Sequence, residues 1–351
     1  MKKIAALLFG LFLTLALIDG VLDIGLGLAQ AVRRQLTGGE TDPYAALREE
    51  YLLRKLELTT RYVPGIGDVF MPGTAPGFTI GADGERLHGH VTAPETASRH
   101  VLMLGSSQAF GVFNDDDATL AAALERQMPG TVVRGFAMPG QRLPGNTMVL
   151  EQRIAAGDRI DQVLIVNGTL DLISYCLTLV SQPPRPRQQP RPLLVEIVVR
   201  LTDKTSAARP AAPADACLTP EGQTAALNRL MADMREVLAA AQGRNLPVTL
   251  ILAPAPYISG ADDGTFSTDP RFQRFQTIID PVFARLRTRL DGLDGIVDLT
   301  EDFGRGRQAM FMDFYGHLTN AGNEALATLI AEALNRQLPP DDGLSDRQKS
   351  K

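Results

Sequence analysis

The chain has 351 residues, of which 44% are hydrophobic and 21% are charged, and its formal net charge is -5. This composition is that of an ordinary folded protein, with room for one large domain or two small ones. The negative net charge and the lack of tryptophan argue against a general nucleic-acid-binding surface.

The first 31 residues resemble a membrane-directed segment. Lys2 and Lys3 precede an apolar run over 4–18 that contains no charged residue. One interpretation is a cleaved signal peptide with a small-residue site at 29–31, and the other is an uncleaved anchor. We favour the anchor because that site lies far from the apolar run, and a buried amphipathic helix is the least favoured alternative. The first two interpretations place the main domain outside the cytoplasm.

Residues 32–97 are predicted to form a stalk helix and an irregular lead-in. Apolar side chains recur at helical spacing over 40–62, which predicts the helix. Residues 63–97 are rich in glycine and proline, which favours irregular structure. This stretch contains His88 and His90, and a histidine pair without a third ligand nearby favours a solvated loop over a metal site.

A candidate nucleophile follows the first predicted core strand. Four apolar residues, 101–104, suit a buried strand, and Gly105 allows a tight turn after it. Ser106 and Ser107 come next, at the carboxyl end of this strand, where open α/β sheets bind ligands. A serine here acts as a nucleophile if a base reaches it, and the alternative is a serine that only caps a helix.

Further strands are predicted near residues 132, 163, 249 and 296. They alternate with amphipathic helices, which predicts a parallel sheet with helices on both faces. Gly140 lies in a Pro-Gly turn after the second strand, where a backbone N–H can approach a substrate closely. A plain turn is the alternative.

The segment 181–219 is predicted to be an insertion in this pattern. Its first part, 181–192, contains five prolines and three arginines, which favours an extended and solvated backbone. Cys176 and Cys217 flank the insertion. Outside the cytoplasm they can form a disulfide, and two buried free thiols are the alternative. The polar tail, 339–351, is predicted to be disordered.

A candidate base and its carboxylate lie on the loop that enters the last helix. Asp313 and His317 are four residues apart and precede a strongly amphipathic helical pattern. His317 can take the proton of Ser107 while Asp313 orients the imidazole ring. A histidine on a solvated loop is the alternative.

The order and spacing of these blocks resemble the SGNH, or GDSL-like, hydrolase family over about residues 60 to 337. That family has a Gly-Asp-Ser block, an isolated glycine, a Gly-x-Asn-Asp block and a late Asp-x-x-His block. The corresponding positions here are Gly105-Ser106-Ser107, Gly140, Gly168-Thr169-Leu170-Asp171, and Asp313 with His317.

Three features depart from the family pattern. Ser106 occupies the position of the usual Asp, and one extra residue separates Asp313 from His317. Leu170 stands where the family has an Asn whose side chain donates to the oxyanion. An apolar side chain cannot donate that hydrogen bond, so a catalytically weak binding protein is the main alternative to an enzyme.

The resemblance implies a three-layer α/β sandwich with a flavodoxin-like, five-stranded parallel sheet in the order 2-1-3-4-5. The hydrolase-like domain is expected to span 98–338. An α/β-hydrolase is the nearest rival fold, but the residues after Ser107 lack the last glycine of its nucleophile elbow.

The resemblance also implies a serine esterase or acyltransferase. Ser107 is the expected nucleophile, His317 the base and Asp313 its orienting carboxylate, and the backbone N–H groups of Ser107 and Gly140 would hold the oxyanion. No metal or organic cofactor is implied. The expected partners are an ester or acylated glycan of the cell envelope and, through the N-terminal segment, the membrane. A membrane-tethered assembly factor that uses the proline-rich insertion is a further alternative.

Overall fold

The computed structural model of the protein describes residues 47–51, 58–177, 215–258, 266–267, 269–290, 293–303 and 310–337. All of them lie in one of the two compact units into which the chain divides, Ala46–Ser181 together with Pro213–Lys351. The predictions for residues 1–31, for 181–214 of the insertion and for the tail 339–351 concern residues outside this set. Across the described residues, no helix combines the length and apolarity needed to span a membrane.

Five short strands occupy the predicted lead-in. They are β1 Thr60–Val63, β2 Gly67–Phe70, β3 Gly73–Ala75, β4 Phe78–Ile80 and β5 Arg86–Leu87. β1 and β2 form an antiparallel hairpin, whereas β3, β4 and β5 join the main sheet. The prediction of an irregular stretch over 63–97 missed these strands, because most of its prolines and glycines fall in the turns between them. Among the described residues of the predicted stalk helix, 47–51 are helical and 60–62 belong to β1.

The aromatic side chains of this region are part of the protein core. Tyr51 and Phe78 are each 2% exposed, and their rings meet edge to face with centroids 5.9 Å apart. Phe70 and Phe78 both contact Phe110, with ring centroids 5.4 and 5.5 Å apart. Buried aromatic side chains contribute strongly to core stability, so the described residues before 98 belong to the folded domain.

Five parallel strands form the centre of the main sheet. They are β6 Arg99–Gly105, β7 Thr131–Gly135, β8 Gln162–Val166, β9 Val248–Leu252 and β10 Ile296–Asp298. Their spatial order is β7-β6-β8-β9-β10, which is the expected order 2-1-3-4-5. β5 pairs antiparallel with β7 and leads on to β4 and β3, so the sheet has eight strands.

Helices cover both faces of the sheet. In chain order they are α1 Ser107–Phe110, α2 Leu120–Gln127, α3 Leu143–Ala155, α4 Thr169–Cys176, α5 Pro220–Gln242, α6 Pro270–Leu290 and α7 Asn320–Gln337. Successive side chains of a strand point to opposite faces. Leu102 and Leu104 of β6 therefore pack with α3 to α6, and Val101 and Met103 pack with α1, α2 and α7. The predicted three-layer α/β sandwich with a flavodoxin-like parallel sheet is confirmed.

The histidine pair of the lead-in is not a solvated loop, and that prediction is wrong for His88. Its side chain is buried against Glu125 of α2, whose Oε1 atom lies 3.2 Å from His88 Nε2 and 2.6 Å from His90 Nδ1. Glu125 is 35 residues beyond His90 in the chain. The sequence around the histidines therefore does not indicate that Glu125 contacts them.

A disulfide joins Cys176 to Cys217. Cys176 is the last residue of α4, and Cys217 lies in a 3-10 turn, Ala216–Leu218, just before α5. Both side chains are buried, and the described part of the chain has no free cysteine. The bond thus links the two sides of the predicted insertion.

Candidate active site

Gly105 sets the direction in which the chain leaves β6. Its φ angle is +155°, and a Cβ atom at this position would lie 2.4 Å from the Val166 carbonyl oxygen and 2.6 Å from the Ala109 Cβ. Gly105 is also paired with Val166 in the sheet. Only glycine fits this close approach, so the chain turns sharply here and places the two serines at the carboxyl edge of the sheet.

A buried arginine holds the far end of the short helix α1. Arg86 of β5 is 4% exposed, and its guanidinium donates to the carbonyl oxygens of Phe110 and Gly111, each at 2.7 Å, and of Asn114 at 2.6 Å. The last carbonyl groups of a helix have no partner within the helix. Arg86 supplies donors to these carbonyl groups, and its positive charge interacts favourably with the negative end of the helix dipole. Asp116 forms an ion pair with Arg86 at 3.1 Å.

The two serines differ in accessibility. Ser106 is the N-cap of α1 and is 5% exposed, whereas Ser107 is the first residue of the helix and is partly exposed. Both line a cavity of about 590 Å³ at the carboxyl edge of the sheet, together with Gly140, Leu170 and His317. Ser107 is therefore the serine that a substrate in this cavity reaches more easily.

Asp313 and His317 form a hydrogen-bonded pair despite the extra residue between them. Asp313 Oδ2 lies 2.7 Å from His317 Nδ1, and Asp313 Oδ1 accepts the backbone N–H groups of Tyr315 and His317 at 3.0 and 3.2 Å. The loop closes through a hydrogen bond from the Gly316 N–H to the Asp313 carbonyl oxygen at 3.2 Å. The carboxylate fixes the ring and leaves Nε2 available to Ser107 or to a substrate.

Gln108 connects α1 to the loop that contains His317. Its Nε2 atom donates to the carbonyl oxygens of Pro254 and Gly316, at 2.8 and 2.7 Å. No hydrogen bond joins Ser107 to His317 within the described part of the chain. Catalytic hydrogen bonds are often long in ligand-free proteins and shorten when substrate binds. The structure thus places the two side chains in one cavity with their supports already formed.

Two backbone N–H groups in the cavity are free to donate. Among the described residues, neither the Ser107 N–H nor the Gly140 N–H has an acceptor. Gly140 has a φ angle of +81°, and a Cβ there would meet nothing within 4 Å. Glycine is favoured at this position by its backbone conformation and not by lack of space. Paired N–H groups next to a serine are suited to hold an oxyanion.

The side chain of Leu170 lines this cavity and offers no donor. Leu170 is the second residue of α4. Asn167, three residues earlier, is buried and uses its Nδ2 to donate to the Gln141 carbonyl oxygen at 3.0 Å. The amide nitrogen of Asn167 is therefore engaged in supporting the turn after Gly140.

Asp171 makes a second link between α4 and the Gly140 turn. It is fully buried, and its Oδ1 accepts the Leu143 N–H at 2.9 Å, at the first residue of α3. Burial raises the pKa of Asp171 to about 7. This acid is a structural cap and not a member of the Ser107, His317 and Asp313 set.

Tyr257 is a cavity residue that the sequence patterns did not indicate. Its side chain is fully buried, lines the cavity, and has a hydroxyl without a protein hydrogen-bond partner. Burial, and after it the charge of Asp313, raises the pKa of Tyr257, so the hydroxyl stays protonated. Its place shortly after β9, at the carboxyl edge of the sheet, is the signal that would have identified it.

The structure therefore brings together the predicted residues from distant parts of the chain. Ser107, Gly140 and His317 line one cavity, and Asp313 contacts His317 from behind. Gln108, Asn167 and Asp171 support this arrangement through buried or partly buried hydrogen bonds, which no sequence pattern predicted.

Comparisons with known proteins concern the fold alone. No family model and no curated protein matches the chain. Similar solved structures include a member of the lipolytic protein G-D-S-L family from Veillonella parvula DSM 2008, with 11% identity and a TM-score of 0.39 over 69% of this chain and 100% of that chain. The lipase/acylhydrolase from Enterococcus faecalis has 16% identity and a TM-score of 0.38, over 70% of this chain and 100% of that chain. A structure of TesA has 15% identity and a TM-score of 0.36, over 68% of this chain and 100% of that chain.

Proposed function

We propose that the protein is a serine esterase or acyltransferase of the SGNH type. The observation that carries this proposal is the cavity itself. It combines a partly exposed serine at the end of a core strand, a histidine held by a carboxylate, and two free backbone N–H groups. These are the parts that nucleophilic acyl transfer needs.

The proposed reaction has two steps. Ser107 Oγ attacks the ester carbonyl carbon while His317 Nε2 accepts the hydroxyl proton, and the N–H groups of Ser107 and Gly140 hold the oxyanion. The C–O bond to the leaving group then breaks, and His317 returns the proton to the departing alkoxide. Water or an acceptor hydroxyl cleaves the resulting acyl-serine in the same way. Asp313 keeps the ring of His317 in the productive tautomer.

The size and lining of the cavity suit an ester substrate. Its volume of about 590 Å³ is within the usual range for small-molecule sites. Ile173 and Phe275 provide apolar lining, while Tyr315 lies in the lining and is 49% exposed. An exposed aromatic ring offers a stacking surface to a sugar ring. An acylated glycan is therefore the substrate class that we propose, with hydrolysis and acyl transfer both compatible with the site.

The proposed location is the outer face of a membrane, with residues 1–31 as anchor. The apolar run after Lys2 and Lys3 supports an anchor or signal segment. The disulfide between Cys176 and Cys217 supports an oxidising compartment, because such bonds are rare in the cytosol. A cell-envelope ester fits both features.

Paired serine variants test the proposed activity. Ser107→Ala should abolish both hydrolysis of short-chain aryl esters and labelling by a fluorophosphonate, because it removes the attacking oxygen. Ser106→Ala is the matched control and should retain most of both, since Ser106 is a buried cap. Circular dichroism would verify that both variants fold. Loss of labelling in Ser106→Ala but not in Ser107→Ala would show that the nucleophile is assigned to the wrong serine.

A catalytically weak binding protein is the second candidate, and Leu170 is the observation that favours it. The side chain that supplies a third oxyanion donor in the family is apolar here. A folded wild type that neither reacts with fluorophosphonate nor hydrolyses activated esters would favour this candidate over the enzyme.

A further inference from the structure

Two histidines and a glutamate meet between the segment after β5 and α2, outside the active-site cavity. His88 and His90 follow β5, and Glu125 is on α2. One nitrogen of each imidazole and one oxygen of the carboxylate all lie within 4.8 Å of one another. We infer that these three side chains form a binding site for a divalent transition-metal ion of the zinc type. This inference is independent of the proposed esterase function.

The separations between Glu125 and each histidine are near those of a metal-bound set. Ligand atoms in a tetrahedral zinc site, with bonds of about 2.0–2.1 Å, lie about 3.3 Å apart. His88 Nε2 and Glu125 Oε1 are 3.2 Å apart, so this pair already has the required separation. His90 Nδ1 and Glu125 Oε1 are 2.6 Å apart. His90 therefore has to withdraw by roughly 0.7 Å to admit the ion, a small movement for a side chain that is 19% exposed.

Orphaned polar atoms point to a ligand at this place. Neither ring nitrogen of His88 has a hydrogen bond, although its side chain is 1% exposed, because the 3.2 Å contact with Glu125 is poorly aligned for one. Buried polar groups are rarely left unpaired. Coordination of a metal ion through Nε2 would give one of the two buried ring nitrogens of His88 a partner.

The surrounding groups orient the proposed ligands. Glu125 is 1% exposed, and its Oε1 and Oε2 atoms accept the backbone N–H groups of Val133 and Val91, each at 2.8 Å. Glu85 Oε1 is buried without a hydrogen bond and lies 3.7 Å from His90 Nε2. In metal sites, the second ring nitrogen of a coordinating histidine often interacts with a carboxylate. Here it would favour coordination through His90 Nδ1.

The donor set selects the class of ion. Two imidazoles and one carboxylate suit zinc and similar transition metals, whereas calcium and magnesium prefer oxygen ligands alone. Both cysteines are in the disulfide, so no thiolate competes for the ion. A water molecule would occupy the fourth position on the exposed side of His90. The ion would join the segment after β5 to α2 and, through Val133, to β7, and it would stabilise the packing of these three elements.

Zinc binding to the untagged full chain tests the inference. After treatment with a chelator, calorimetric titration with zinc chloride should give one ion per chain, and zinc should raise the midpoint of thermal unfolding. Magnesium should do neither. His90→Gln should weaken zinc binding at least tenfold and remove the thermal shift, because it replaces a partly exposed ligand without disturbing the core.

His100→Gln is the matched control. His100 is buried like His88 but lies outside the cluster, so this variant should bind zinc as the wild type does. Failure of the wild type to bind zinc would overturn the inference. It would also be overturned if His90→Gln bound zinc as tightly as the wild type, or if His100→Gln lost binding to the same extent as His90→Gln.

Discussion

Replacing Leu170 with asparagine is expected to raise the rate of ester turnover at the proposed site. Leu170 lines the same cavity as Ser107 and Gly140 and supplies no donor, so two backbone N–H groups would face the oxyanion alone. One oxyanion donor typically contributes about 10²–10³ in rate, or about 3–4 kcal/mol. The wild type should therefore be slow but active, and the variant should recover part of this difference.

The structure reduces the gain expected from the new amide, because two polar side chains near it along the chain already have hydrogen-bond partners. Asn167 already donates to the Gln141 carbonyl oxygen, and the Thr169 hydroxyl donates to the Ala253 carbonyl oxygen at 3.4 Å. Ordering an otherwise unrestrained side chain costs about 1 kcal/mol. About 2–3 kcal/mol remains, which corresponds to a rise of about 30- to 150-fold in kcat. KM should change little, since the new bond forms mainly in the transition state.

Steady-state kinetics on p-nitrophenyl acetate would measure this effect. Leu170→Asp is the matched control, because aspartate has the shape of asparagine but, when ionised, only accepts hydrogen bonds, and it should be slower than the wild type. Leu170→Ala controls for space in the cavity. Adding Ser107→Ala to Leu170→Asn should remove the gain. An equal rise in Leu170→Ala, or a folded Leu170→Asn variant no faster than the wild type, would refute the oxyanion argument.

Two further predictions concern stability. Reducing the disulfide between Cys176 and Cys217 should lower the free energy of unfolding by about 4 kcal/mol, because the bond closes a loop with a sequence separation of 41. Calorimetry should show a fall of roughly 10 °C in the unfolding midpoint, and an unchanged midpoint would contradict the prediction. Burial raises the pKa of Asp171 to about 7 from 3.8 for the free group, so the folded protein loses stability as pH rises towards 7. The free energy of unfolding of Asp171→Asn should therefore increase by roughly 3 kcal/mol relative to that of the wild type between pH 5 and pH 8. Urea unfolding at both pH values measures this gain, and parallel pH profiles would contradict it.

The central sheet was predictable because its signals are local. The run over 101–104 is apolar, it ends in Gly105, and similar runs recur between amphipathic helices. Buried parallel strands need continuous apolar sequence, so the pattern and the structure agree. The positions of the candidate serine and histidine were also predictable, since the serine follows a predicted core strand and the histidine lies on the loop before a predicted helix.

The lead-in and the polar supports were not predictable from local pattern. β5 has two residues, Arg86 and Leu87, which is too short to show any alternation. In the sequence, Glu125 is a charged residue next to the apolar face of α2, and its contact with His88 depends on the tertiary structure. Likewise, the bond from Asn167 to the Gln141 carbonyl depends on how two loops meet in space. Such contacts join residues far apart in the chain and produce no periodic pattern in the sequence.

The contact between Arg86 and α1 makes β5 part of the support of the proposed active site. A helix of four residues has almost no hydrogen bonds of its own, so its position depends on what holds its ends. One end follows Gly105 at the end of a core strand, and the other is held by a guanidinium carried by a two-residue strand. β5 pairs with β7 through a single residue pair, Arg86 with Gly135, and segments with few contacts open locally at lower free energy than core strands. Brief opening of β5 would therefore release α1 while the parallel strands stay folded, and amide exchange at Phe110 and Gly111 would follow the motions of β5.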